Sequence, residues 1–169
     1  MEAITTARLV LEPLVVAHAE TMFDVLGDLA IYRYLDYPPP PSIEHLRSVY
    51  SRLEARTSPD KSEIWLNWVV RPHGQLPVGY LQATVVSPQT AWVAYVLSSK
   101  HRGNGYAHEA TRAMLEHLAT AYGVIRYLAT VEAENQRSIR LLERLGFRGA
   151  SAEALEGHSL SPTERLFIR

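Results

Sequence analysis

A strand-to-helix turn that contains two glycines is the feature that most restricts the fold of this chain. Residues 92 to 97 are rich in β-branched and aromatic side chains, which favours a buried strand, and residues 107 to 122 carry apolar side chains at helical spacing. Gly103 and Gly105 lie between them. Such a turn can direct several backbone N–H groups and the positive end of the helix dipole at one anion. The turn therefore indicates a phosphate or pyrophosphate site, although two glycines can equally make a tight connection.

The chain before this region predicts a strand and two helices. The strand begins at Leu9 and ends at Pro13, and helical patterns cover residues 17 to 26 and residues 43 to 56. Ser42 is expected to cap the second helix. Pro38 to Pro41 form a stiff segment, which we interpret as a boundary loop in preference to a polyproline ligand for a partner domain.

Three strands separated by short turns follow, and they predict an antiparallel meander over residues 64 to 70, 78 to 86 and 92 to 97. After the glycine turn, a helix that Gly123 ends leads to a strand over residues 125 to 131, so this connection is a crossover that implies parallel pairing. A helix capped by Asn135 and a final strand over residues 166 to 168 complete the pattern. The predicted fold class is α/β (α+β), a single domain over residues 1–169. Its mixed sheet is antiparallel in the N-terminal meander and parallel where helices cross over.

Composition narrows the classes of function. The net charge of −1 gives no basic excess that would favour nucleic acid or an anionic membrane. Cysteine is absent, which excludes disulfides, thiolate metal sites and a cysteine nucleophile, and the seven histidines are scattered, so no metal is implied. The N-terminus lacks a signal peptide pattern, and no apolar run approaches the roughly 20 residues that cross a bilayer. We expect a soluble, cytoplasmic monomer or homodimer.

Three segments together resemble the GNAT superfamily of acyl-CoA-dependent N-acyltransferases. Residues 102 to 107 match its Arg/Gln-x-x-Gly-x-Gly/Ala loop, and residues 135 to 147 are similar to its second motif. Residues 7 to 14 resemble the opening strand of the RimJ/RimL-like branch, which is named for ribosomal-protein N-terminal acetyltransferases. A dinucleotide-binding motif fits less well, because His108 stands where its last glycine or alanine would be. A Walker loop is also disfavoured, since no Gly-Lys-Ser/Thr occurs.

The resemblance implies acetyl-CoA as co-substrate and assigns residues to it. The backbone N–H of Leu97 would polarise the thioester carbonyl, and Asn135 would order the second motif or contact the pantetheine arm. Family members often have proline at the position of Ser99, so we expect this corner to be looser here. The pyrophosphate would bind the backbone amides of Arg102, Gly103, Asn104, Gly105, Tyr106 and Ala107.

The resemblance also implies a particular general acid. Many members have alanine three residues after the asparagine and tyrosine seven residues after it, the tyrosine protonating the leaving thiolate. Ser138 and Leu142 occupy these positions here, as in the RimJ/RimL-like branch, where the serine is assigned to the thiolate. Ser138 is therefore the candidate catalytic acid, although a serine in the first turn of a helix can also simply support the cap.

The sequence gives less information about which residues bind the amine acceptor and which residue acts as the general base. Glu12, Glu63 and Glu132 are acidic candidates for the base, and each can equally be a surface carboxylate. The candidate acceptor pocket consists of residues on elements that face the thioester in relatives, namely Tyr32, Tyr34, Trp65, Tyr80, Gln82 and Trp92. Aromatic residues on strands are, however, often part of the core.

The leading hypothesis is an N-acetyltransferase in which a primary amine, either a peptide N-terminus or a small molecule, attacks acetyl-CoA directly. The absence of cysteine and of an obvious Ser-His-Asp order disfavours a covalent intermediate. Two alternatives stay open: transfer of a longer acyl group such as succinyl, and a non-catalytic acyl-CoA sensor.

Overall fold

The computed structural model describes residues 1–87, 89–151, 153–155 and 160–169. Four α-helices and eight strands occur in this part of the chain. The helices are α1 (Ala19–Leu26), α2 (Ile43–Glu54), α3 (Tyr106–Tyr122) and α4 (Gln136–Arg144). The strands are β1 (Ile4–Thr5), β2 (Leu9–Pro13), β3 (Ile64–Pro72), β4 (Gly79–Ser87), β5 (Thr90–Leu97), β6 (Arg126–Glu132), β7 (Arg148–Gly149) and β8 (Glu164–Ile168).

All eight strands form one sheet in the order β1-β2-β3-β4-β5-β6-β8-β7. The predicted mixed sheet is confirmed, with an antiparallel meander through β3, β4 and β5. The crossover through α3 makes β5 and β6 parallel, as expected. Parallel pairing is confined to this pair, because β6 next pairs with β8 in the antiparallel direction and β7 lies outside β8.

Successive side chains of a strand point to opposite faces of the sheet, and a different core cluster forms on each face. On one face, inward side chains such as Leu81 and Val93 pack in a large cluster with Met114 and Leu118 of α3. On the opposite face, Val69 of β3 packs with residues of α1 and α2 in a smaller cluster. Since α1 and α2 contribute only to this smaller cluster, they cover the β3 side of their face of the sheet.

The predicted helix ends are confirmed. The Ser42 side chain accepts a hydrogen bond from the His45 N–H at 3.1 Å, and the Asn135 side chain accepts one from the Ser138 N–H at 3.2 Å. Gly123 ends α3 in the left-handed conformation. No helix in the described ranges is both long and apolar enough to cross a membrane.

Candidate functional site: a cleft between two splayed strands

A cleft opens where β5 and β6 separate. Their parallel pairing covers only three residue pairs, which join Thr90–Trp92 to Arg126–Leu128. Beyond Trp92, β5 continues to Leu97 with β4 as its partner, and β6 continues to Glu132 with β8 as its partner. The edge of β5 that faces β6 is therefore unpaired over its last five residues, which leaves room for an extended ligand between the strands.

Backbone N–H groups of β5 point into this cleft. The N–H of Ser98 donates to the carbonyl of Val78 at 2.8 Å, so Ser98 faces the β4 side. Successive N–H groups of an extended strand point in opposite directions, and the N–H groups of Leu97 and Tyr95 therefore point toward the β6 side. The structure thus directs the amide singled out at Leu97 into the open cleft.

Gly79 of β4 allows the close approach that sets the end of β5. Gly79 is paired with Leu97. A Cβ atom at position 79 would collide with the carbonyl oxygen of Val96 and would lie 2.7 Å from the Leu97 Cα. Because both neighbours are backbone atoms, any larger residue at this position has to displace the strand that carries the Leu97 amide.

The glycine turn has the geometry of an anion site. Gly103 and Gly105 have φ angles of +82° and +75°, which are strained for other residues. Gly105 occupies the N-cap position of α3. Within the described part of the chain, no group accepts a hydrogen bond from the backbone N–H groups of residues 103 to 107. These five donors lie at the positive end of α3 and are available to an anionic ligand. The Arg102 N–H, which was also expected to bind the pyrophosphate, donates to the carbonyl of Ser99 at 3.3 Å.

Arg8 braces this turn from the N-terminal side. Its Nη1 donates to the carbonyl oxygen of Asn104 at 2.8 Å, and its guanidinium lies 5.1 Å from the ring centre of Tyr106. Its Nε donates to Glu109 Oε2 at 2.7 Å, and Thr6 Oγ1 donates to Glu109 Oε1 at 2.6 Å. Partial burial opposes ionisation of Glu109, but these hydrogen bonds outweigh it and hold the pKa of the carboxyl below its ordinary value.

Asp28 ties the segment after α1 to the end of β5. Its Oδ2 accepts hydrogen bonds from Ser98 Oγ at 3.0 Å and from the Ser99 N–H at 2.6 Å. Ser99 was expected to loosen this corner because it replaces proline, and this expectation is wrong. A proline has no N–H to donate to Asp28, so the serine permits a bond that fastens the corner. Arg102 also contacts this segment, since its Nη2 donates to the carbonyl of Ala30 at 3.3 Å.

Ser138 faces β5 across the base of the cleft. Its Oγ lies 2.6 Å from the hydroxyl of Tyr95, and either oxygen can donate. The Tyr95 hydroxyl also donates to the Ser138 carbonyl at 3.3 Å. Burial raises the pKa of Tyr95 to about 12, so its phenol stays protonated at neutral pH. Sequence reasoning missed Tyr95, because an aromatic residue inside a strand predicts only core.

The six candidate acceptor residues do not come together in one place. Tyr32, Tyr80 and Gln82 line a cavity of about 550 Å³ between α2 and the sheet. Gln82 and Trp92 line a smaller cavity of about 160 Å³ at the cleft. Tyr34 lies under the guanidinium of Arg33 at 5.2 Å, and Trp65 Nε1 donates to Glu63 at 2.8 Å. Neither Tyr34 nor Trp65 lines either cavity.

The structure separates the three candidate bases. Glu12 binds Arg71 through both carboxylate oxygens, at 2.8 and 3.0 Å, and Glu63 accepts from Trp65. Burial opposes ionisation of Glu12, but Arg71 and His18 outweigh it and lower its pKa. Glu132 lies at the end of β6 on the same face as Thr130, which lines the smaller cavity.

Counting from the Trp92–Leu128 pair places Glu132 at the level of Val96, across the cleft from the end of β5. Of the three carboxylates, Glu132 is therefore the one that the strand register places at the cleft.

Comparison with known proteins identifies the family. A profile of the acetyltransferase (GNAT) domain matches residues 8–148. The chain therefore belongs to the GNAT N-acetyltransferase family, and the predicted resemblance is confirmed. One relative, described as the uncharacterized N-acetyltransferase p20 of Bacillus licheniformis, is 23% identical over 150 residues, which are 88% of this chain and 83% of the relative.

Solved structures share the fold at low sequence identity. A RimL ribosomal L7/L12 α-N-protein acetyltransferase in complex with coenzyme A has a TM-score of 0.83 at 17% identity, over 99% of this chain and 97% of that one. RimJ of Mycobacterium smegmatis in complex with a CoA-disulfide has a TM-score of 0.82 at 24% identity, and the match covers 99% of this chain and 87% of RimJ. The microcin C7 self-immunity acetyltransferase MccE with acetyl-CoA and AMP has a TM-score of 0.79 at 15% identity, and the match covers 97% of this chain and 93% of MccE.

Proposed function

We propose that this protein is an acetyl-CoA-dependent N-acetyltransferase in which a primary amine attacks the thioester directly. The observation that carries the proposal is the continuity of the cleft with the glycine turn. The unpaired edge of β5 leads from Val93 to Leu97, and five free amides follow at the start of α3. Together they suit a long, extended ligand that ends in a pyrophosphate.

The residues of this chain would hold the coenzyme at its two ends. Residues 103 to 107 bind the pyrophosphate through their backbone N–H groups, and Arg8 keeps the turn in place. The Tyr95 and Leu97 amides offer hydrogen bonds to an extended arm in the cleft, as a neighbouring strand would. The complexes of RimL and RimJ with coenzyme A derivatives and of MccE with acetyl-CoA support this assignment.

The reaction assigns a separate role to each group in the cleft. Bound acetyl-CoA supplies an activated acetyl thioester. The Leu97 N–H donates to the carbonyl oxygen as negative charge develops on it during amine attack. When the C–S bond breaks, Ser138 Oγ donates a proton to the sulfur and the Tyr95 hydroxyl at 2.6 Å passes one to Ser138; water returns a proton to Tyr95 after the thiol leaves. Glu132, directly or through water, receives the proton that the amine loses.

The acceptor is a primary amine, and the RimL neighbours suggest a protein N-terminus as one form of it. An α-amine with a pKa near 8 gives up its proton at neutral pH at a cost of only about 1.4 kcal/mol, which a single carboxylate can assist. A side-chain amine of lysine type needs more help, because its pKa near 10.4 raises this cost to about 4–5 kcal/mol.

The test has two stages. Acetyl-CoA at about 100 times its Kd should stabilise the protein by about 2.7 kcal/mol, measured as a shift in Tm. Release of free thiol is then followed with a panel of amines and N-terminal peptides, using acetyl-CoA and succinyl-CoA as donors. The absence of any thermal shift contradicts coenzyme binding. A shift without thiol release supports the acyl-CoA sensor, and preference for succinyl-CoA supports the longer acyl group.

A further inference from the structure

The large cavity lies beside the proposed reaction centre. Its floor is formed by side chains of β3 and β4, among them Asn67, Tyr80 and Gln82. Tyr80 is paired with Val96 and Gln82 is paired with Ala94, so the floor is one strand away from the open edge of β5. Neighbouring strands are about 4.8 Å apart, which brings the cavity within reach of an amine at the end of β5.

The lining of the cavity is mostly apolar. It consists of leucine, valine, proline and tyrosine side chains with two amides and one imidazole, and none of the described lining residues is Asp, Glu, Lys or Arg. Burial raises the pKa of Tyr32 to about 12 and also raises the pKa values of Tyr50 and Tyr80. These phenols are therefore neutral at physiological pH. A charged group placed here would lose its hydration without gaining an opposite charge.

The wall opposite the sheet is rigid before any ligand binds. Pro38 to Pro41, which the sequence indicated only as a boundary loop, line the cavity and fix their own φ angles. The Tyr37 hydroxyl lies 2.7 Å from the Tyr80 hydroxyl, which fastens this segment to the sheet. Tyr32 and Tyr37 meet edge to face with ring centres 6.1 Å apart. The pocket is thus preorganised, and a ligand does not have to order it.

Two buried polar groups in the lining, one on α2 and one on β3, are unsatisfied. Tyr50 and Asn67 are 4% and 5% exposed, and both contribute to the lining. Within the described chain, the Tyr50 hydroxyl and the Asn67 Nδ2 have no hydrogen-bond partner. Buried polar atoms are normally paired, so these two atoms are exceptions within an otherwise apolar lining.

We propose that the acceptor amine carries an uncharged, bulky apolar group, of which an aromatic ring is the simplest form, and that this group fills the cavity. The amine then projects past Gln82, which lines both cavities, toward the end of β5. This inference rests on the proposed function for the chemistry and adds the class of acceptor. Free aromatic amines and peptides with an N-terminal aromatic residue share the required group.

Kinetics with matched amines test the selectivity. Phenethylamine and a tripeptide amide with N-terminal phenylalanine should have kcat/KM at least about tenfold higher than 1,4-diaminobutane and β-alanine, which carry charged groups of either sign. Better use of either charged amine overturns the inference while leaving acetyl transfer intact. Comparison of the two aromatic acceptors shows whether the enzyme takes a free amine, a peptide or both.

A cavity-filling variant tests the location. Val49 of α2 lines the cavity, and V49F should raise the KM for phenethylamine at least about tenfold while leaving the Kd for acetyl-CoA unchanged. S48F adds the same ring at the neighbouring exposed position and should change neither value. Equal KM values for V49F and the parent, with both proteins folded by Tm, contradict the assignment.

Binding measured without turnover separates this inference from the proposed function. Calorimetry with 2-phenylethanol, which has no amine to acetylate, should show binding to the parent protein saturated with coenzyme A and loss of binding in V49F. If no amine is ever acetylated but 2-phenylethanol still binds in this way, the proposed reaction fails and the pocket stands. If acetylation occurs and 2-phenylethanol does not bind, the pocket assignment fails.

Discussion

Arg8 and Asn104 are joined across 96 positions of sequence by a 2.8 Å hydrogen bond from the guanidinium to the backbone carbonyl. The bond connects the start of β2 to the glycine turn. Because the acceptor is the carbonyl oxygen of Asn104, the N–H groups of the turn remain available. The N-terminal segment of the chain therefore supports the proposed coenzyme site through the backbone of the glycine turn.

Removal of Arg8 should weaken coenzyme binding. In R8A the turn loses the charge-assisted hydrogen bond to Asn104 and the cation–π contact with Tyr106. We therefore expect the Kd for coenzyme A to rise about tenfold. Calorimetry with coenzyme A measures this directly. The matched control is R112A on the exposed side of α3, whose contact with Glu116 at 3.8 Å is a weak surface pair. Equal Kd values for the two variants would show that Arg8 has no bracing role.

Glu109 should make the stability of this region depend on pH. Its pKa is below the ordinary value in the folded protein, so the stabilisation is fully present above the unfolded pKa and is lost as the pH falls through the folded pKa. The Tm of the parent should exceed that of E109Q at pH 7, and the difference should shrink below about pH 4.5. A difference in Tm that is constant from pH 7 to pH 3 would assign the effect to something other than the carboxylate.

Ser138 and Tyr95 should behave as a coupled pair. S138A is expected to lower kcat about tenfold to a hundredfold, and Y95F less, because Ser138 still reaches the sulfur. The double variant should be little slower than S138A, since both hydroxyls serve one proton transfer. Steady-state kinetics with saturating acetyl-CoA measure these effects, and an unchanged kcat in S138A removes its role.

The control for this pair is another buried tyrosine. Tyr127 donates its hydroxyl to the carbonyls of Leu115 and Val124, both at 3.0 Å, on the α3 side of the sheet. Y127F should lower the free energy of unfolding by about 1 kcal/mol and leave kcat unchanged. A fall in kcat for Y127F comparable to that for Y95F would indicate a general loss of packing.

The contribution of Glu132 to kcat/KM should be largest at pH values where the acceptor amine is protonated. With an N-terminal peptide as acceptor, E132Q is expected to lower kcat/KM at pH 7 about tenfold or more, and the loss should decrease toward pH 9.5, where the α-amine is already neutral. The pH profile of kcat/KM provides the measurement. E134Q, two positions along at an exposed site, serves as the control. A loss in E132Q that does not change with pH would contradict a role as base.

Gly79 should be intolerant of any side chain. In G79A the new Cβ meets backbone atoms of Val96 and Leu97, so we expect a loss of about 1–3 kcal/mol in stability together with a lower kcat. Gly149 has no atom within 4 Å of an added Cβ, and G149A should change the stability by less than about 0.5 kcal/mol. Denaturant unfolding of both variants, followed by kinetics, makes the comparison. Equal stabilities would contradict the close approach.

The sequence predicts those parts of the molecule that depend on local patterns. The long strands and the helices with their caps at Ser42 and Asn135 follow from periodicity and capping, and the structure confirms them. Two strands of only two residues, β1 and β7, are too short to carry a period and were missed. The glycine turn could be located because φ > 0 selects one residue type.

The rest of the site depends on contacts between distant segments. Asp28 and Ser99 are 71 positions apart, and Tyr95 and Ser138 are 43 positions apart, so no local pattern indicates either pair. Of the large cavity, the sequence indicated Tyr32, Tyr80 and Gln82 as acceptor residues but not the proline wall. The floor of the cavity lies on β3 and β4 and its wall lies on the proline segment, and each looks like ordinary core or loop by itself.

The three residue pairs between β5 and β6 form a short seam, which joins strands β1 to β5 to strands β6 to β8. The two ladders that flank this seam, β4–β5 and β6–β8, are antiparallel and longer, so the seam is the shortest pairing in the centre of the sheet. Among the described residues, the two halves share a core on the α3 face, and the cluster on the other face belongs to the first half alone. The seam is therefore supported by a shared core on the α3 face. A ligand lying along β5 would act as the missing strand beside the seam and would join the two halves over a longer edge.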